Sequence, residues 1–162
     1  MSIHRYINDI FVIFSLNFQS MSYLNTKANP ILFDIVLFLV RLFIGFAMIS
    51  HGFPKLQDLI NGVEKPFYDF IGLGPKISLI LAVFAEFVCS IFIILGLFTR
   101  IASGFLIFTM AIAAFVVHGA DAFDKRELSL LYLSIYLIII SFGAGRFSID
   151  GVIEKRRRAS DW

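Results

Sequence analysis

Residues 31–52 read ILFDIVLFLVRLFIGFAMISHG, an apolar run interrupted by one central charge, Arg41. Residues 77–98, ISLILAVFAEFVCSIFIILGLF, are interrupted in the same way by Glu86. A helix needs about 20 mostly apolar residues to cross a bilayer. A charge inside such a span is costly, so it marks either a structural pair or a functional site. Two further runs, at 101–118 and 127–145, meet the same criterion. The alternation of a membrane barrel strand is absent, and a spanning segment must satisfy its own backbone, so all four are expected to be helices. Asn29-Pro30 opens the first, Gly52 and Pro54 are expected to close it, Gly74-Pro75 precedes the second, and Gly143 and Gly145 end the fourth.

The composition supports the same reading. Hydrophobic residues make up 59% of the 162, charged residues only 16%, and the mean hydropathy is +0.86, whereas a soluble domain is about half apolar. The chain is therefore expected to be an all-α integral membrane protein, a four-helix transmembrane bundle with the lipid bilayer as its solvent. The net charge of +2, from 14 basic and 12 acidic residues, gives no reason to expect nucleic acid as a partner. Cys89, the single cysteine, excludes an internal disulfide and paired-cysteine thiol exchange within the chain. No phosphate-cradling glycine loop, HExxH, GxSxG or CxxCH motif occurs, and no repeat.

Four spans put both termini on one side, and Lys and Arg decide which. The terminal side carries Arg5, Lys27, Arg100, Arg146 and the run Lys155 to Arg158, eight against five for Lys55, Lys65, Lys76, Lys125 and Arg126. Both termini are expected in the cytoplasm, and the protein as a multi-pass component of the cell inner (plasma) membrane. The chain divides into a leader over 1–29, a membrane domain over 30–150 and a basic cytoplasmic tail over 151–162. In the leader the apolar run Ile10 to Leu16 is too short to span; it reads as an interfacial helix, or as residues preceding a true start at Met21. The loop from Phe53 to Pro75, with Phe67, Tyr68 and Phe70, reads as an outer lid on the membrane surface or as a plain connector.

Helical spacing sorts the polar residues into stripes. Asp34, Arg41, Gly45, Met48 and Lys55 share one face of the first span; Ala82, Glu86, Cys89 and Ser90 share one of the second. Gly104, Ala111, Ala114 and His118 lie along the third, and Glu127, Ser134 and Ser141 along the fourth. Each stripe is expected to face the bundle interior, where small residues let helices approach and polar ones hydrogen-bond. Arg41 and Glu86 count to nearly the same depth, so they are expected to form a buried ion pair, either fixing register or, with Glu86 as the titrating partner, handling protons. His51, Lys55, His118 and Glu127 gather at the outer boundary. Two imidazoles and a carboxylate there suit the carbonyls of a quinone, or a haem or metal held by His51 and His118.

Arg41, HGFPKL at His51–Leu56, AEF at Ala85–Phe87, GLFTR at Gly96–Arg100, His118, Glu127 and GAGRFSID at Gly143–Asp150 together resemble the DoxX family, over residues 31–150. The resemblance rests on the order and spacing of these motifs. It implies a small four-helix membrane protein. The family takes its name from subunits of an archaeal thiosulfate:quinone oxidoreductase, and other members belong to membrane redox complexes or act in assembly of other membrane proteins. The resemblance implies a membrane subunit of a quinone-linked oxidoreductase complex with a redox partner, and Arg41, His51, Lys55, Glu86, His118 and Glu127 as its functional positions. The alternatives are a non-catalytic assembly or accessory protein, and a small-solute or proton pathway that would require an oligomer.

Overall fold

A computed structural model describes residues 29–62, 67–70 and 72–160, and the described residues from Ile31 onward form one compact unit. The leader, with its alternative start at Met21, lies outside the described residues apart from Asn29. All regular structure among the described residues is helical. Helix α1 runs Pro30–Ile60, α2 Pro75–Leu95 and α3 Thr99–Val117, α4 Phe123–Phe142 and α5 Ile149–Ser160. Two segments are π-helical, Phe84–Cys89 within α2 and Ala113–Val117 at the end of α3.

Helices α1, α2 and α3 are long and apolar enough to cross a membrane. Large apolar side chains such as Phe43, Phe46, Phe105, Phe108 and Phe115 cover their outer faces, a surface that suits lipid and not water. Helix α4 differs, because Asp124, Lys125, Arg126 and Glu127 occupy its start. The apolar remainder, 128–142, extends about 22 Å, short of the roughly 30 Å hydrocarbon core. It nevertheless completes the interior: Leu37, Ile44 and Met48 of α1, Cys89 and Ile93 of α2, Ala102, Leu106 and Met110 of α3, and Tyr132, Tyr136 and Ile139 of α4 form one buried cluster.

Two expectations about the interior are corrected. Helix α1 does not close at Gly52 and Pro54 but continues two turns to Ile60. Pro54 forfeits only the bond to the Ser50 carbonyl, at an exposed position, and Gly52 is buried against α2. The stripe placed on α4 is also reversed. Ser134 and Ser141 are exposed and bond the carbonyls of Leu130 and Leu137 at 2.8 and 2.7 Å, while Tyr132 and Tyr136 face inward. A serine that satisfies its hydroxyl on its own helix can face lipid; a tyrosine supplies the volume the core needs. On α3, Thr99, Ala102, Ser103, Leu106 and Met110 are the buried positions beside Ala114, whereas Gly104 contacts nothing across its open side.

One end of the bundle is tied by the family-like motifs. Helix α2 ends at Gly96, whose φ of 66° is left-handed; Gly96 N–H bonds the Ile93 carbonyl and Leu97 N–H that of Phe92, the double bond of a Schellman cap. A side chain at 96 would also collide with the Arg41 guanidinium and with Ser148. Helix α3 starts immediately afterwards, and its first free N–H groups, on Phe98 and Thr99, both donate to the Asp150 carboxylate at 2.9 Å. Asp150 N–H in turn bonds the Gly96 carbonyl at 2.9 Å. Asp34 accepts from the backbone N–H and the Nε of Arg146, both at 3.1 Å. The segment 143–150 is thereby fastened to three helices. Replacing Asp150 by Ala strands two helix-start N–H groups, and the loss of such a cap costs about 0.5–2 kcal/mol. The Asp150→Ala protein is expected to unfold at lower temperature in detergent, monitored by circular dichroism, with Asp150→Asn intermediate.

Candidate functional site

At the other end, a cavity of about 230 Å³ opens between the helices. Its position derives from Gly52. A Cβ there would lie 2.8 Å from the Glu86 carbonyl carbon and 2.9 Å from Phe87 N, so only glycine lets α1 rest on the π-helical turn of α2. Lys55, three residues further along α1, then reaches Glu86: Nζ to Oε1 is 2.5 Å. Glu86 is buried, and its other oxygen, Oε2, has no hydrogen-bond partner among the described residues. The Lys55 ammonium also lies 5.9 Å from the centroid of Phe67, so an aromatic of the loop between α1 and α2 covers it. Asp69 shapes that loop, accepting from the N–H groups of Gly72 and Gly74 and from the Ser78 hydroxyl, each at 2.9 Å.

The remaining walls come from α1, α3 and α4. His51 lines the cavity and its ring meets Tyr132 edge-on, 5.7 Å between centroids. His118 lines it too, with Nδ1 2.9 Å from Asp121 Oδ2. A carboxylate only accepts, so the Nδ1 carries the proton and Nε2 is the nitrogen left for other partners. The same hydrogen bond holds the Asp121 carboxyl below its ordinary value. Met48, Met110, Ala113 and Leu128 supply apolar surface.

Of the six residues singled out in the sequence, His51, Lys55, Glu86 and His118 line this cavity, and Arg41 and Glu127 do not. The expected Arg41–Glu86 pair is replaced by Lys55–Glu86. The reason is register: α1 extends beyond Gly52, so Glu86 faces Gly52 and Lys55, and Arg41 sits about 16 Å further along the axis. Arg41 is fully buried at the tied end, where Nη2 donates to the Phe147 carbonyl at 2.5 Å. Glu127 is exposed; Lys125, Leu128, Ser129 and Tyr132 form the face of α4 that meets the cavity, and position 127 falls off that spacing. Lys125, Tyr132 and Asp121 were not singled out in the sequence, although the step of three from His118 to Asp121 and the 125, 128, 129, 132 periodicity carry the signal. Among the described residues no three His, Cys, Asp or Glu side chains gather closely enough to hold a metal ion.

Apolar helices long enough to cross a bilayer, enclosing a polar cavity with a buried carboxylate, define a multi-pass membrane protein with an internal polar cavity. The chain belongs to the DoxX family, whose sequence pattern matches residues 36–119, from the second turn of α1 to just past His118. Two relatives from Haemophilus influenzae are both described as uncharacterized proteins. One is 33% identical over 126 residues, 72% of this chain and 90% of that protein. The other is 24% identical over 135 residues, 79% of this chain and 89% of that protein. No solved structure matches the chain.

Removing Lys55 leaves the Glu86 carboxylate buried and unpaired. Breaking a fully buried pair costs roughly 3–5 kcal/mol, and the Lys55 side chain is 33% exposed, so Lys55→Gln is expected to lose roughly 1–3 kcal/mol. Adding Glu86→Gln should restore most of it. A double-mutant cycle of unfolding free energies in detergent measures the coupling; additive effects would show that the two side chains do not interact.

Proposed function

We propose that the chain is a membrane subunit of a quinone-linked oxidoreductase complex, and that the cavity beside Glu86 receives the quinone head group. The observation that carries this reading is Glu86 Oε2, buried without a partner in the wall of a cavity that also presents an ammonium and two imidazoles. A quinone ring has two carbonyl oxygens to accept hydrogen bonds and two apolar faces. Lys55 Nζ donates to a carbonyl oxygen of the quinone, His118 Nε2 accepts from a hydroxyl of the quinol, and Met48, Met110 and Leu128 pack on the faces. The volume of about 230 Å³ lies below the roughly 300–1,000 Å³ of pockets that enclose whole drug-sized ligands. It suits a single ring whose hydrocarbon tail stays in the lipid. The head group supplies the redox chemistry when bound; Glu86 holds the proton exchanged with its oxygen, and Lys55 and His118 orient it. The electrons come from a partner subunit. Arg41 holds α1 to the segment after α4 and takes no part in proton handling, and Glu127 lies outside the site.

In this reading α4 is the fourth crossing, both termini are cytoplasmic, and the membrane is the inner (plasma) membrane. Support comes from the inward Tyr132, Tyr136 and Ile139 of α4, from Lys125 and Arg126 at its outer start, whose long stems can extend toward the headgroups, and from the basic run of α5. In a Cys89→Ser background, a cysteine at Ser160 should react with a membrane-impermeant thiol reagent only after cells are opened, and one at Gly62 should react in intact cells. The reverse pattern would invert the orientation. A second reading, an assembly or accessory protein, draws on the tied end, where Asp34, Arg41 and Asp150 all serve structure.

Protein extracted gently from its native membrane is expected to yield quinone on organic extraction, in about one-to-one ratio, together with a redox partner polypeptide. Lys55→Met should weaken binding of a short-chain quinone, and His118→Ala that of its quinol, by about tenfold or more, the loss of one good polar contact, while Asp150→Asn leaves both unchanged. A protein that is empty and alone, and that binds no added short-chain quinone, would favour the accessory reading.

A further inference from the structure

Outward hydroxyls in this protein satisfy themselves: Ser50, Thr109, Ser134 and Ser141 each donate to a carbonyl of their own helix, at 2.6 to 3.0 Å. Of the inward ones, Ser78 donates to Asp69 Oδ1 at 2.9 Å, and four others lack such a partner. Ser90, Thr99, Ser103 and Tyr136 are at most 1% exposed, and none of their hydroxyl oxygens has a hydrogen-bond partner of normal geometry among the described residues. A buried hydroxyl left unpaired costs about 1–3 kcal/mol. Four together, on three helices, form a polar column within the bundle that bridging water would satisfy.

Their levels coincide. Counted at 1.5 Å per residue from the ends nearest the cavity, Ser90 of α2, Ser103 of α3 and Tyr136 of α4 all lie about 20–23 Å deep. Tyr136 is beside Ser90. Ser90 is one turn beyond Glu86 on α2, and Thr99 is one turn beyond Ser103 on α3, toward the tied end. One turn separates side chains by about 6 Å, a gap that one water closes with two hydrogen bonds of about 2.8 Å. Beyond Thr99, whose N–H bonds Asp150 Oδ2 at 2.9 Å, Asp150 lines a second cavity of about 960 Å³ with Arg100, Arg146 and Lys155. A carboxylate thus stands at each end of the hydroxyl column, each in the wall of an open cavity.

We propose that the bundle carries a water-bridged proton path from Asp150 through Thr99, Ser103, Tyr136 and Ser90 to Glu86. At each hop a hydroxyl or water accepts a proton on a lone pair and releases its own to the next, so one proton leaves the Asp150 cavity for each one that arrives on Glu86. The path rests on the quinone reading only for what consumes that proton. There, reduction of a quinone to the quinol takes two electrons from the partner and two protons from Glu86, which the column replaces one at a time. The Lys55 ammonium occupies Glu86 Oε1, so the outer end is the slow step.

The test uses purified full-length protein in liposomes with a pH-sensitive dye inside, a potassium diffusion potential and no quinone. Wild-type protein should pass protons faster than empty liposomes, and Lys55→Gln should raise the flux by about fivefold or more. In either background Ser103→Ala and Tyr136→Phe should each cut it by about fivefold or more, while Ser134→Ala, which removes an outward hydroxyl, leaves it unchanged. Folding of each variant is checked by circular dichroism. Flux no greater than that of empty liposomes in both wild type and Lys55→Gln overturns the path, as does flux that folded Ser103→Ala or Tyr136→Phe leaves intact. Titrating a short-chain quinone into the same preparations separates the two proposals: binding without flux removes the path alone, and flux without binding removes the quinone reading alone.

Discussion

No side chain separates α1 from α2 at Gly52, and the rest of the site depends on that contact. Lipid offers helices no hydrophobic reason to associate, so close approach of backbones supplies the attraction. Gly52 provides it against the Glu86 turn, and Gly45, two turns earlier, provides it again, where a Cβ would press into the Ile94 side chain and lie 3.2 Å from the Ser90 carbonyl oxygen. The two glycines fix how far α1 slides along α2. That register decides which cation meets the buried carboxylate. Lys55, just beyond Gly52, reaches it, and Arg41 does not.

With Lys55 committed to Glu86, Arg41 must be accommodated elsewhere, because a guanidinium buried without partners is among the more costly things a fold can contain. The segment between α4 and α5 answers this by bringing the Phe147 carbonyl to Nη2 and the Asp150 charge nearby. Asp150 at the same time caps α3, and Gly96 leaves room for the guanidinium. One buried cation therefore accounts for several motif stretches at once: the glycine that ends α2, the turn that starts α3 and the polar run after α4. The charges are sorted to opposite ends of the bundle, one end tied, the other open.

The helical, membrane-embedded character was legible from the apolar runs, and the stripes of α1 and α2 were legible from spacing: Asp34, Arg41, Gly45, Met48, Ala82, Glu86, Cys89 and Ser90 are all buried. The pairing of Arg41 with Glu86 was not, because depth was counted from a helix end placed at Gly52, and proline at position 54 looks like a terminator unless tertiary packing holds the turn around it. The inward face of α4 was missed for a different reason. Polarity alone does not mark the interior, because a serine can bond its own helix and turn to lipid, while tyrosine brings both bulk and a hydroxyl inward. Asp150 as a cap on α3 was out of reach of local reading, since its partners lie 51 and 52 positions away.

The two π-helical segments both border the cavity. A π turn admits one extra residue, which rotates the next stretch of helix by about 100° relative to an uninterrupted one. In α3 the bond from His118 N–H goes back five residues to the Ala113 carbonyl at 3.0 Å. An α-helical bond would run to Ala114 and send the imidazole out on another face; the π bond ends the helix with His118 in the cavity wall and Asp121 within reach of its Nδ1. In α2 the widened turn contains Glu86 itself, at the place where Gly52 leans on the backbone. Irregular backbone is tolerated in a membrane protein where it is buried or lines a cavity, and these two turns do so from facing helices. Glu86, whose Oε2 is left without a partner, is the carboxylate that these two turns and the Gly52 contact hold at the cavity wall.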